Sequence, residues 1–327
     1  MGYVVSNINL ENQNPQPLST AFESALATKK LGHFKGLSMV LLGAVLWGVS
    51  GTAAQVLFQR YGFNPGWLVT VRMSVAGLLL LAGVSIKSGL PATVAVWKHK
   101  RDAVKLVLFG IIGLLGVQYS YFAAIRYGNA ATATMLQYMG PIFITVYIAL
   151  RQRRIPTGVQ TAAVVLACGG AFLLVTDGNV HTFSVSPQAV FWGLVSAVTL
   201  AFYSLYPQRL LHTYGSANVV GWAMLIGGVS MSFITPPWHF TGHSTFGAWW
   251  LVSFVVLFGT LIAFYVYIAS LKFISASEAS LLACAEPLSA SILAVAVLHV
   301  QLGLASMLGG LCVLVTVTLL ASKRPAT

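Results

Sequence analysis

Ten apolar segments, each long enough to cross a lipid bilayer as a helix, leave this chain few ways to fold. Crossing ~30 Å of hydrocarbon takes roughly 20 helical residues. Segments of that kind run at about 36–58, 65–86, 106–126, 129–150, 157–176, 189–209, 217–236, 247–271, 277–298 and 302–321. Stretches such as 104–117 and 289–298 are apolar at all but one or two positions, whereas a membrane β-barrel alternates apolar and polar residues in ~10-residue strands. Only 7% of the 327 residues are charged, against about 25% in a soluble domain, and the mean hydropathy is +0.83. So little polar surface cannot coat a globule in water. The expected fold is an all-α polytopic membrane protein with ten transmembrane helices.

The basic residues orient the spans. With the N-terminus in the cytoplasm, the inner segments hold Lys29, Lys30, Lys35, Lys87, Lys98, Lys100, Arg101, Lys105, Arg151, Arg153, Arg154, Arg209, Lys272, Lys323 and Arg324. The outer segments hold Arg60 and Arg126, and Arg72 lies within a span. Fifteen against two places both termini in the cytoplasm of a plasma-membrane protein. The net charge of +12 is then topology signal and leaflet contact, with no nucleic acid partner required. Residues 1–35 form a polar tail expected to be disordered, with no removable signal peptide, and 322–327 a second short tail. Cys168, Cys284 and Cys312 lie in apolar segments and read as packing residues.

A shift of 146 positions lays residues 113–141 on 259–287 without a gap. Gly113/Gly259, Leu115/Leu261, Tyr119/Tyr265, Tyr121/Tyr267, Ala123/Ala269, Ala130/Ala276, Ala133/Ala279, Leu136/Leu282 and Pro141/Pro287 coincide. Two halves follow, 36–176 and 189–321, joined by a linker at 177–188. Five spans per half is an odd number, so the second copy enters the membrane upside down. Inverted repeats can exchange conformations and open a central site to each side in turn.

The residues Gly43-Ala44-Val45-Leu46-Trp47-Gly48, Arg72 after Pro65, Tyr121-Phe122-Ala123-Ala124-Ile125-Arg126-Tyr127 and Gly140-Pro141 carry a resemblance. The second half repeats it as Tyr267-Ile268-Ala269-Ser270-Leu271-Lys272-Phe273 and Ala285-Glu286-Pro287. In their order and duplication they resemble the EamA-type branch of the drug/metabolite transporter superfamily, over about 36–321. The resemblance implies ten helices in two inverted five-helix halves, export of small metabolites, and a cavity lined by spans one, three, four, six, eight and nine. The Gly-Glu pair often found after span nine in that family is here replaced by Leu298-His299-Val300-Gln301.

Glu286 is the one carboxylate well inside the hydrocarbon, nine residues and ~14 Å from Ser277. An intramembrane acid is costly and points to function. It reads as a proton-coupling group or a contact for a substrate amine; the competing reading is a protonated glutamate bonding a loosened backbone carbonyl. Pro141 and Pro287 free the carbonyls of Gln137 and Ala283 and supply either hinges or plain kinks. Arg72 attracts an anion such as a carboxylate, or serves structure by bonding neighbouring carbonyls. Trp47, Gln55, Tyr119, Gln137, Tyr138, Tyr203, Gln208 and Tyr265 are the candidate substrate-pathway residues, aromatic faces with amides to orient a solute. Members of a Tyr-x-Tyr pair diverge by about 200°, so one of each pair faces inward. Paired glycines, including Gly169-Gly170 and Gly309-Gly310, read as close-packing surfaces. His181, His239 and His243 are too scattered for a metal site.

The leading functional reading is a secondary transporter that exports small amphipathic metabolites such as amino acids by alternating access, with Glu286 as the candidate for proton coupling. No nucleotide motif points to ATP, and no cofactor or catalytic residue is expected. The partners are a small-molecule substrate, protons and the lipid bilayer, in a monomer or weak homodimer. The alternatives are a multidrug or organic-cation efflux carrier, a channel or scramblase, and, least favoured, a membrane-embedded enzyme acting on lipids.

Overall fold

A computed structural model describes residues 18–153, 157–179, 184–274, 278–279 and 282–322. Every regular element among them is helical. The principal helices are α1 (Leu18–Gln59), α2 (Pro65–Ser88), α3 (Lys100–Tyr127), α4 (Ala130–Gln137), α5 (Gly140–Gln152) and α6 (Gly158–Thr176). They are followed by α7 (Pro187–Leu205), α8 (Gln208–Tyr214), α9 (Ser216–Ser232), α10 (Phe246–Ser270), α11 (Ala285–Ala296) and α12 (Leu304–Ser322). Side chains set the boundaries. Asn64, Asn129, Ser186 and Thr245 each accept a backbone N–H of the helix they precede, and Thr157 with Gln160 forms a capping box.

Seven helical stretches are long and apolar enough to cross a membrane: 30–59, 65–88, 100–127, 130–152, 158–176, 187–205 and 246–270. The segments expected as the other three spans carry α9, α11 and α12, none of which meets that measure among the described residues. Chain breakers account for part of this. Pro236-Pro237 follows α9, and α11 starts only at Ala285, with Pro287 in its first turn. Large apolar side chains such as Ile86, Leu150, Phe233 and Leu304 remain exposed, a surface suited to lipid. The N-terminal expectation needs correcting: α1 starts at Leu18, so residues 18–35 prolong the first span as helix instead of forming a disordered tail. Residues 1–17, Arg154, His181, Ala276, Ser277, Lys323 and Arg324 lie outside the described residues.

The helices pack in pairs that persist when positions in one half are exchanged for those in the other. α2 packs on α9 and α6 on α12; α3 packs on α7 as α10 packs on α1. Ser74 lies against Gly228 and Leu81 against Gly221, so α2 and α9 run antiparallel. Ala163 meets Thr316 and Leu174 meets Ser306, which makes α6 and α12 antiparallel as well. Two local irregularities recur. π-helical turns interrupt α3 at Phe109–Leu115 and α10 at Leu257–Ile262, overlapping once shifted by 146 residues. The fourth span breaks at Tyr138-Met139 and the chain turns again at Ala283-Cys284, each break just before a proline-bearing helix. The largest buried cluster joins α1, α2, α3, α9 and α10 beside the central cavity.

Candidate functional site

Between these helices lies a cavity of about 620 Å³. α1 contributes Trp47, Ser50 and Gly51, and α2 contributes Arg72. α3 presents Leu114, Val117, Gln118 and Tyr121, spaced as one helical stripe; α10 presents Phe264, Tyr267, Ile268 and Leu271 in the same spacing. Gln137, Tyr138 and Pro141 enter at the break between α4 and α5, and Tyr203, Ser204, Pro207, Gln208 and Leu211 come from α7 and α8. Ala283 and Glu286 close the ring.

Two opposite charges share this space. Arg72 is 4% exposed; its Nε donates to Thr260 Oγ1 at 3.0 Å and its guanidinium lies 4.5 Å from the centre of the Phe122 ring. Among the described residues no carboxylate comes within 4.0 Å of it, and its remaining N–H groups have no hydrogen-bond acceptor. Glu286 stands on the other half of the chain, with Oε2 3.3 Å from the Tyr138 hydroxyl. That hydroxyl donates to the Ala283 carbonyl at 2.6 Å. Pro287, lacking an N–H, gives this carbonyl no i+4 partner, and it also accepts the Glu286 backbone N–H at 2.9 Å.

The aromatic walls are fixed by mutual packing. The Trp47 ring lies 5.1 Å from Phe264 and 5.3 Å from Tyr267, and Tyr203 stacks on Phe109 at 5.5 Å. Tyr121 hydrogen-bonds Thr134 at 2.9 Å. Gln137 donates to Ser196 at 2.7 Å, and Gln208 to the Ser204 carbonyl at 2.6 Å. One end of the molecule is sealed by Phe63, Trp67, Phe240 and Trp249, whose rings touch one another, with the Trp67 indole N–H bonded to the Pro237 carbonyl at 2.8 Å. The cavity reaches toward the opposite end, where Gln208, Leu211, Ser216 and Leu271 border it.

Of the residues singled out from sequence, Trp47, Arg72, Gln137, Tyr138, Pro141, Tyr203, Gln208 and Glu286 border the cavity together. Gln55, Tyr119 and Tyr265 do not. Gln55 accepts the Ala130 backbone N–H at 2.9 Å and donates to Gln59, tying α1 to the start of α4. Tyr119 packs edge-on against Trp192 at 5.4 Å, and Tyr265 is 63% exposed on the outside of its helix. Pro287 is buried in the first turn of α11. Tyr121 and Tyr267 are the inward members of the two Tyr-x-Tyr pairs. Each lies in a stripe of i, i+3, i+4 and i+7 spacing, over 114–121 and over 264–271.

The matching family model is the EamA-like transporter family, found twice, over residues 34–176 and 187–322. The chain belongs to the EamA-like transporter family. It is similar to the uncharacterized inner membrane transporter YicL of Salmonella typhimurium, 37% identical over 298 residues that span 89% of this chain and 97% of YicL. It is also similar to the uncharacterized transporter YyaM of Bacillus subtilis, 21% identical over 72% of this chain and 77% of that one. In fold it resembles a protein crystal structure at 17% identity, with a TM-score of 0.58 over 89% of this chain and 96% of the other. This is a membrane-spanning transporter of the plasma membrane.

Proposed function

We propose that this chain is a secondary transporter that exports small amphipathic zwitterions of the amino-acid type, by alternating access between two inverted halves at 36–176 and 189–321. The observation that carries the reading is the pairing of Arg72 and Glu286 across one aromatic cavity. A bound zwitterion places its carboxylate at the free N–H groups of Arg72 and its ammonium at Glu286, while its side chain lies on Trp47, Tyr121 and Tyr267. Charge-assisted bonds of this kind are strong where water is excluded.

Alternating access is supported by the antiparallel α2–α9 and α6–α12 pairs and by the matching breaks before Pro141 and Pro287. Ten crossings, counting α9, α11 and α12, keep both termini in the cytoplasm. The aromatic seal then faces outward, and the cavity is reached from the lysine- and arginine-rich side, where an exporter loads.

Proton coupling rests on a count of hydrogens. Tyr138 has one phenolic proton and gives it to Ala283. The 3.3 Å contact with Glu286 Oε2 is then the weaker arm of a shared bond from that hydroxyl, and becomes a full hydrogen bond when the glutamate itself carries a proton to donate. Losing that proton frees the carboxylate for a substrate ammonium, so proton and solute exclude each other at one group. Solute counterflow in proteoliposomes, over a panel of amino acids with and without a pH difference, tests the reading: saturable exchange supports it, and non-saturable flux removes it.

Organic-cation efflux is the second reading, favoured by Glu286 among aromatic faces. Arg72→Gln separates the two, because a cation carrier keeps its transport and a zwitterion carrier loses it.

A further inference from the structure

Away from the cavity, a second pocket of about 320 Å³ is lined by Lys98, His99, Lys100, Arg101, Asp102 and Arg209. Four permanent cations face one carboxylate, and that carboxylate is engaged: Tyr214 donates its hydroxyl hydrogen to Asp102 at 2.9 Å. Among the described residues, none of the four cations has a salt-bridge partner. Lys100 and Arg101 open α3, whose N-cap position, His99, provides no side-chain cap, so first-turn N–H groups add to the positive field. Asp102 offsets one of the four charges, and the repulsion among the rest is relieved when a further anion sits among them.

The depth of the pocket narrows the choice of anion. Trp97, 40% exposed, packs edge-on against Trp222 at 5.2 Å, and the Trp222 indole N–H donates to the Thr93 carbonyl at 2.9 Å. Tryptophans in that setting sit at headgroup level. We propose that this pocket binds a phosphate group, that of an anionic phospholipid headgroup, at the basic end of the protein. The site draws on both parts of the chain: Lys98 and His99 from the connection between α2 and α3, Lys100–Asp102 from the start of α3, and Arg209 from α8. Gln208, beside Arg209, borders the central cavity. An occupied pocket therefore ties α8 to the first half and holds the cavity in the arrangement seen here.

The test is native mass spectrometry of the full-length protein in detergent, with phosphatidylglycerol, phosphatidylcholine or inorganic phosphate added. The wild type retains one phosphatidylglycerol saturably and in preference to phosphatidylcholine. Lys98→Gln with Arg209→Gln lowers that retention about tenfold or more, whereas Arg151→Gln with Arg153→Gln, equal in charge but outside the pocket, leaves it unchanged. The charge-keeping pair Lys98→Arg with Arg209→Lys restores binding, which separates recognition from misfolding. If millimolar inorganic phosphate displaces the lipid, soluble phosphates use the same pocket; if it does not, the lipid alone is the occupant. Equal retention by the wild type and the Lys98/Arg209 Gln variant, equal loss in the two Gln pairs, or no restoration by the charge-keeping pair overturns the proposal.

Discussion

The Tyr138 hydroxyl donates to the Ala283 carbonyl at 2.6 Å, joining the break in the fourth span to the turn that precedes α11. Pro287 cannot supply the N–H that Ala283 would meet in an unbroken helix, and the carbonyl accepts the Glu286 backbone N–H at 2.9 Å and the Tyr138 hydroxyl instead. The first half thus adds a second hydrogen bond to a carbonyl of the second. Removing the hydroxyl in Tyr138→Phe takes away one of the two hydrogen bonds to that carbonyl and leaves the Glu286 N–H bond in place, at a cost of about 1 kcal/mol. The expected outcome is a melting midpoint in detergent lower by about 2 °C, read by fluorescence; an unchanged midpoint shows the bond to be dispensable.

Glu286→Gln keeps the shape of the side chain and removes its titration. The account expects a folded protein that still exchanges solute across proteoliposome membranes but no longer accumulates it when a pH difference is imposed. Uptake driven as well as in the wild type removes Glu286 from coupling.

The two Tyr-x-Tyr pairs offer an internal comparison. Tyr267→Ala deletes a cavity wall that also braces Trp47, and should raise KM about tenfold, the equivalent of roughly 1.4 kcal/mol of binding. Tyr265→Ala alters an outward ring and should leave KM within about twofold. Counterflow titrations with one solute read both values.

Much of this architecture is legible in the chain itself. Bilayer thickness imposes a length on apolar runs, and the 146-residue repeat foreshadowed the matching π-helical turns and breaks. The site was less legible. Hydropathy does not say which face of an apolar helix looks inward, so Tyr119 and Tyr265 were as eligible as Tyr121 and Tyr267 until the helical stripes were traced. Gln55 looked like a polar lining residue and is used instead to satisfy the Ala130 N–H, a need that exists only once α4 is docked. The helix over 18–35 has no long apolar run to mark it, because serines, threonines and lysines interrupt its apolar residues.

Neighbouring glycines in α6 differ sharply in surroundings. A Cβ on Gly170 would lie 2.7 Å from the Gly309 carbonyl oxygen and 2.9 Å from Cys312 Cβ, while one on Gly169 meets nothing within 4 Å. Gly170→Ala should destabilise the α6–α12 pair by about 1–3 kcal/mol. Gly169→Ala should be neutral or stabilising by up to about 1 kcal/mol, from the better helix propensity of alanine. Thermal unfolding of the two variants side by side measures the difference.

Reciprocal opening of the two ends is the most direct test of the carrier account. Spin labels at Arg60 and Thr241, and separately at Thr213 and Lys272, all exposed positions, report the two ends by electron–electron double resonance in nanodiscs once Cys168, Cys284 and Cys312 are replaced. When a transported solute or a change of pH is applied, the account predicts that the Thr213–Lys272 distance shortens as the Arg60–Thr241 distance grows. Two distances that move in the same sense, or that stay fixed while solute is being exchanged, would contradict it.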